Sequence, residues 1–171
     1  MACQTGNAYV SSIASHSSFL LSSEKPMYPI HASIIHLPIG LLLGSAILTL
    51  LYIRRGDSSY ETAAYHCLWI GWLGALVAIV SGTADAVQHL FNATAPRDDA
   101  LNWINAHGFV GLGVLAVYWS LWQSRRHNPN IVTNPETRQG YLYKMAFGIV
   151  LLLLDGWLGG HLVYSLGLGV Q

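Results

Sequence analysis

The sequence predicts an all-α integral membrane protein, a four-helix up-and-down bundle preceded by an N-terminal arm, and three observations carry that expectation. Only 9% of the 171 residues are Asp, Glu, Lys or Arg and 53% are hydrophobic, whereas a soluble domain typically carries about 25% charged residues. Segments 32–53, 65–88, 105–123 and 141–164 are apolar enough and long enough to cross a hydrocarbon core, which takes about 20 residues for roughly 30 Å. The basic residues alternate between connections. Arg54 and Arg55 lie in the first and Arg125, Arg126 and Arg138 in the third, with Lys144 just beyond, while the second has only Arg97 beside Asp98 and Asp99.

The elements follow in order. Residues 1–30 form an arm rich in serine, with short apolar clusters at Tyr9/Val10 and Phe19/Leu20/Leu21 and no basic residue before Lys25. A secretory signal begins with positive charge and ends in small residues, so the arm is expected to be retained, partly irregular and partly on the membrane surface. Residues 31–171 are the transmembrane domain. Cys3 and Cys67 show no paired or metal-ligand spacing, which argues against a disulfide.

In the first span Pro38 is comfortable only in an opening helical turn. The helix is therefore expected to begin near His36, with His31 in an irregular approach to it. Residues three, four and seven apart share a helix face. His36, Gly40, Gly44 and Ile47 make one stripe, and Gly71, Gly74, Ala78, Ser81, Gly82, Asp85 and His89 make a longer one in the second span. In the third span His107 aligns with Gly111, and in the fourth Asp155 aligns with Gly148 and Gly159 while His161 points elsewhere. Small residues on one face suit close helix packing in lipid. Trp69, Trp72, Trp119 and Trp122 suit lateral contact with partner subunits.

Cytoplasmic loops hold the excess of Lys and Arg, which places both termini and the second connection on the outer side of a membrane of the bacterial inner-membrane type. His31, His36, His89, His107 and His161 then gather at the outer end, His66 and His127 at the inner end, and His16 in the arm. Imidazole at membrane depth is costly unless it faces the bundle interior, a cavity, a partner or a metal.

A flat macrocycle between helices needs surface without side chains beside its axial imidazoles. A histidine followed four residues later by glycine supplies both, as in His36/Gly40 and His107/Gly111. First and third helices lie diagonally in an up-and-down bundle, so His36 and His107 are the expected axial ligands of one haem b. His89 with His161 is the second choice of pair. Asp85 and Asp155 are the acidic residues inside the spans, suited to a proton route or to holding the far nitrogen of a ligand histidine. If His31 converges with His36, a compact site of His31, His36, His107 and His161 for zinc, copper or iron is the alternative. The remaining alternatives are a structural subunit without a redox centre and one holding a chlorophyll-type pigment through a single imidazole.

The stretch from His31 through Ala32-Ser33-Ile34-Ile35-His36-Leu37-Pro38-Ile39 to Gly40, the segment Ser81-Gly82-Thr83-Ala84-Asp85, Asn105-Ala106-His107, and the ending Gly156 to Tyr164 with Gly167 and Gly169 together resemble the bacterial membrane-protein family catalogued as domain of unknown function 2231. The likeness covers residues 30 to 170. The family's histidine pattern falls on His31, His36, His107 and His161, with His89 peculiar to this chain. Members fused to Rieske iron-sulfur domains imply electron transfer near the outer membrane face. No Rieske ligand pattern occurs here, so the iron-sulfur or cytochrome c partner implied on the outer side is a separate subunit.

Other chemistries find no support. There is no phosphate-cradling glycine loop, no His-Glu-x-x-His zinc-protease motif and no strained nucleophile turn, so nothing argues for catalysis. Eight Lys plus Arg balance eight Asp plus Glu without a basic face, which argues against nucleic acid. The expectation is thus a haem-bearing membrane cytochrome subunit relaying electrons within a larger respiratory or photosynthetic complex, its partners being lipid and other membrane subunits.

Overall fold

The computed structural model describes residues 30–92 and 98–168, with backbone alone at 30, 88–92, 98 and 99. The arm with Cys3 and His16, Gly169 and the His89 side chain all lie outside what is described. The helices are α1 (Ile30–Ile34), α2 (His36–Arg55), α3 (Ser58–Asn92), α4 (Asp98–His127) and α5 (Pro135–Tyr164). Four stretches, His31–Arg55, Ser58–Val87, Ala100–His127 and Pro135–Tyr164, are long and apolar enough to cross a membrane.

One helical hydrogen bond is missing from the first span where α1 meets α2, although Ile35 keeps helical dihedrals (φ -61°, ψ -27°) and the span runs as one helix from His31 to Arg55. Pro38 supplies the reason: without an N–H it cannot bond the carbonyl of Ile34. The flanking bonds survive, from Ile35 N–H to His31 O at 3.1 Å and from Ile39 N–H to Ile35 O at 3.3 Å. The expected irregular approach is therefore corrected: His31 lies in helical backbone that leads directly into the long helix.

Connections are set by ordinary capping. α2 ends at Gly56, whose φ of 74° is left-handed and whose N–H donates to Tyr52 O at 2.8 Å. Asp57 then accepts from Ser59 N–H at 2.9 Å as α3 begins, and that bond holds its carboxyl below the usual carboxylate range. Before α5, Asn134 accepts from Glu136 N–H at 3.0 Å with Pro135 in the first helical position, a favourable pairing of cap and proline.

Sequential helices pack antiparallel around a square. α2 rests on α3, α3 on α4 and α4 on α5, while α2 and α5 touch least and the diagonals do not pack backbone to backbone among the described residues. The long stripe of α3 receives the first span. A side chain at Gly71 would overlap Leu42 at 2.9 Å, and one at Gly74 would press Pro38 at 3.2 Å. Ser45 Oγ donates to Ala64 O at 2.8 Å across the same seam. Between α4 and α5, Gly148 admits Val117 and Tyr118 at 3.2 and 3.3 Å. The core joins Leu42, Leu68, Val114, Tyr118, Leu121, Tyr141, Met145 and Leu152. Leu37, Ile47, Val80, Phe109, Val150 and Trp157 face outward, as lipid-facing positions of a small membrane bundle do.

Three of the four tryptophans expected to reach partners also pack on one another, Trp119 while 39% exposed. Trp72 and Trp119 lie 4.7 Å apart, Trp119 and Trp122 5.0 Å, and Trp72 and Trp122 5.7 Å by ring centres. Trp72 Nε1 donates to Leu115 O at 3.1 Å and Trp122 Nε1 to Tyr65 Oη at 3.2 Å, so these rings bind α3 to α4.

Candidate intramembrane histidine site

Five residues, about 140° of helical turn, separate His31 from His36, so His31 contacts α3 while His36 stays exposed. His36 and Gly40 are exposed, and a side chain built at Gly40 or Gly44 meets nothing within 4 Å. The expected inward stripe of His36, Gly40, Gly44 and Ile47 is therefore corrected: it is the outer face of α2. The physical reason is that Pro38, Leu42, Ser45, Ala46 and Thr49 hold the opposite face of α2 against its neighbours.

His31 occupies the place that histidine–glycine spacing assigns to His36. Its Nδ1 lies 2.8 Å from Ala78 O and 3.3 Å from Ser81 Oγ, both on α3. The ring rests on Gly82, where an added Cβ would stand 2.9 Å from Cε1 and 3.0 Å from Nδ1. The backbone N–H of His31 donates to Asp85 Oδ2 at 3.3 Å. That N–H is one of the unpaired donors at the start of α1, and a carboxylate suits the positive end of a helix. Four members of the small stripe of α3 thus seat one histidine.

Across the bundle, His107 on α4 approaches the same point. The rings of His31 and His107 are 6.1 Å apart by their centres and tilted 69°. His107 Nδ1 is 2.9 Å from Asp155 Oδ1 on α5, yet neither atom has an aligned hydrogen bond although both are buried. Gly159 gives the His107 ring room, with an added Cβ at 3.4 Å from Cε1. A Cβ added at Gly111 would stand 3.7 Å from the Asp155 carboxylate, so this glycine faces the carboxylate and is not an open platform beside His107.

His161 stands apart from this cluster, between Trp103 at 4.3 Å and Trp157 at 5.9 Å by ring centres. α5 continues as helix through Gly159 and Gly160, so no bend brings His161 inward. His66 and His127 at the other end share hydrogen bonds with carbonyls of their own helices, Thr62 O at 2.7 Å and Gln123 O at 2.8 Å. Among the described residues no group of three or more His, Cys, Asp or Glu is placed to hold a metal ion. The compact site of His31, His36, His107 and His161 is accordingly not assembled.

At the arginine-bearing end lies a second polar centre that the sequence pattern does not announce. Arg125 is 3% exposed, pairs with Glu61 of α3 at 3.3 Å, donates to Thr49 Oγ1 of α2 and covers the ring of Tyr141 of α5 at 5.0 Å. One guanidinium thus touches all three neighbouring helices. The arginine's place within the last turn of an apolar span is the signal for it, and a charge count by loops conceals that signal.

The geometry defines a four-span helical membrane protein with a histidine–carboxylate cluster enclosed near one end. The chain belongs to the family described as predicted membrane protein (DUF2231), whose model matches residues 27–171. No curated protein and no solved structure matches the chain.

Proposed function

We propose that the protein is a membrane cytochrome subunit that holds one haem b through His31 and His107. The observation that supports this most is the state of the two imidazoles. Each comes from a different helix and has its Nδ1 against an acceptor, Ala78 O for His31 and Asp155 Oδ1 for His107. Metal-bound histidines use the second nitrogen in this way, and the arrangement leaves each Nε2 as the available donor.

The fit has three parts. His31 and His107 would be the residues that hold the iron, and their ring centres are 6.1 Å apart, close enough for both imidazoles to serve one centre. The buried Nδ1 and Oδ1 of the His107–Asp155 pair lack an aligned bond, and a small rotation of the ring, such as a ligand on Nε2 would impose, aligns them. Two imidazoles are too few for a closed zinc site, which needs four ligands, but suffice for haem iron, whose remaining donors belong to the macrocycle. These points favour haem over a bare transition metal and over a pigment held by one imidazole.

When bound, the haem supplies one-electron transfer. Ala78, Ser81 and Gly82 orient His31, Asp155 orients His107, and Asp85 fixes the turn that carries His31. His107 is seven residues on from Ala100, so the site lies about 10 Å inside the span at 1.5 Å per residue, near enough to the surface for a short electron path. By the distribution of Lys and Arg that surface is the outer one, where both termini also lie. An iron-sulfur or cytochrome c protein of a respiratory or photosynthetic complex is the partner this placement suits.

The test is the absorption spectrum of the purified full chain, oxidised and then reduced with dithionite. Sharp b-type bands are expected, lost in His31→Ala and in His107→Ala and kept in His36→Ala. A chain expressed with ample haem and showing no such bands refutes the reading, and loss in His36→Ala with retention in His31→Ala refutes the ligand assignment.

A further inference from the structure

We propose that a recess at the arginine-bearing end binds the phosphodiester headgroup of a glycerophospholipid whose headgroup carries a hydrogen-bond donor. The recess holds about 350 Å³ and is lined by Glu61, Thr62 and Tyr65 of α3 with Arg125, Arg126 and Pro129. This is a different site from the histidine cluster, and nothing in the haem reading bears on it.

Its chemistry is incomplete in a specific way. Arg125 is 3% exposed, and its Nε and Nη1 have no hydrogen-bond acceptor, while Glu61 Oε2 has no donor. The Arg125–Glu61 contact at 3.3 Å therefore neutralises the pair in charge without satisfying its hydrogen bonds. Buried polar atoms in that condition are costly. Arg126 adds a second guanidinium, exposed and lying over the Trp122 ring at 5.7 Å. Two arginines against one glutamate leave one net positive charge in the wall, matching the single negative charge of a phosphodiester.

Position selects the source of that phosphodiester. Glu61 is three residues from the start of α3, and Arg125 and Arg126 are in the last turn of α4, within about 5 Å of the helix ends. That is headgroup depth, and basic pockets between spans on the arginine-rich side bind lipid headgroups. The charged Arg126 meets the phosphate at the mouth, with the Arg125 charge behind it. Glu61, the acidic residue of the lining, favours a headgroup that carries an ammonium or hydroxyl donor beside the phosphate. Ethanolamine and glycerol headgroups present such a donor, whereas the trimethylammonium of choline does not.

The experiment is native mass spectrometry of the full chain, delipidated in detergent and titrated with phosphatidylethanolamine, phosphatidylglycerol or phosphatidylcholine. One tightly retained molecule of either of the first two is expected, with about tenfold weaker retention of the choline lipid. Arg126→Ala, at an exposed position that leaves the Arg125 pair intact, is expected to weaken retention about tenfold, the scale of one charge-assisted hydrogen bond, and Arg126→Lys to restore part of it. Equal retention of all three lipids, or an unchanged affinity in Arg126→Ala, overturns the proposal. Displacement of the lipid by an equal concentration of glycerophosphoethanolamine overturns the lipid as occupant in favour of a soluble phosphodiester.

Discussion

Replacing Gly82 by alanine tests whether the histidine site is as closely seated as its distances state. The new Cβ would stand 2.9 Å from His31 Cε1 and 3.0 Å from Nδ1. Ordinary carbon contacts begin near 3.5 Å, so the ring must retreat by about 0.6 Å. The same ring is tied to Ala78 O at 2.8 Å, and a retreat of that size along the bond carries it past the roughly 3.2 Å limit of a good hydrogen bond. Overpacking costs typically 1–3 kcal/mol, and a lost buried hydrogen bond about 1 kcal/mol. The expected destabilisation is therefore about 2–4 kcal/mol, read as a lowered midpoint of thermal unfolding in a fixed detergent. Gly40→Ala is the control, since its Cβ meets nothing within 4 Å, and it is expected to be neutral or slightly stabilising through helix propensity. Gly159→Ala, with 3.4 Å to His107 Cε1, falls between them. Equal stability of the Gly82 and Gly40 variants would show that His31 does not rest on α3, and the site as described would fall with it.

Three further outcomes are expected. Glu61→Gln removes the ion partner of Arg125, and since breaking a buried pair costs about 3–5 kcal/mol and the Glu61 side chain is 25% exposed, a loss of about 2–3 kcal/mol should appear in the same unfolding assay. Gly148→Leu places a large side chain where even a Cβ would sit 3.2 Å from Val117, and it should separate α4 from α5, detectable as rapid proteolysis of the connection between them. Asp57 has a depressed carboxyl in the folded chain, so its cap contributes above the usual carboxylate range and is lost as pH falls through the lower folded value. Amide exchange at Ser59 should quicken there relative to neighbouring amides once intrinsic rates are divided out, and Asp57→Ala should abolish that pH dependence.

The spans are legible in the sequence because hydropathy and length add up along the chain without reference to neighbours. The stripe on α3 is legible too: Gly71, Gly74, Ala78, Ser81, Gly82 and Asp85 share a packed face, and helical spacing alone groups them. Which side chain enters that face is not. His36 has the glycine four residues on and His31 has none, so local spacing favours the wrong histidine. The deciding factor is which face of the span is packed: Pro38, Leu42, Ser45 and Thr49 are buried, and His31, seven residues before Pro38, shares their side of the helix, whereas His36 does not. Arg125 is hidden for a related reason, because a residue counted with a loop can still be enclosed when three helices close around its guanidinium.

The amino-acid order alone determined that this is a four-span membrane protein, and that most of its cations collect at one end and five of its eight histidines at the other. Those are properties of position along a helix, fixed by a rise of 1.5 Å per residue. Only the tertiary structure decided that His31 and not His36 stands beside His107, that Asp155 lies 2.9 Å from the latter, and that Arg125 joins the helices at the far end. Rotation of each helix about its own axis controls those choices, and that rotation is set by the neighbours it packs against.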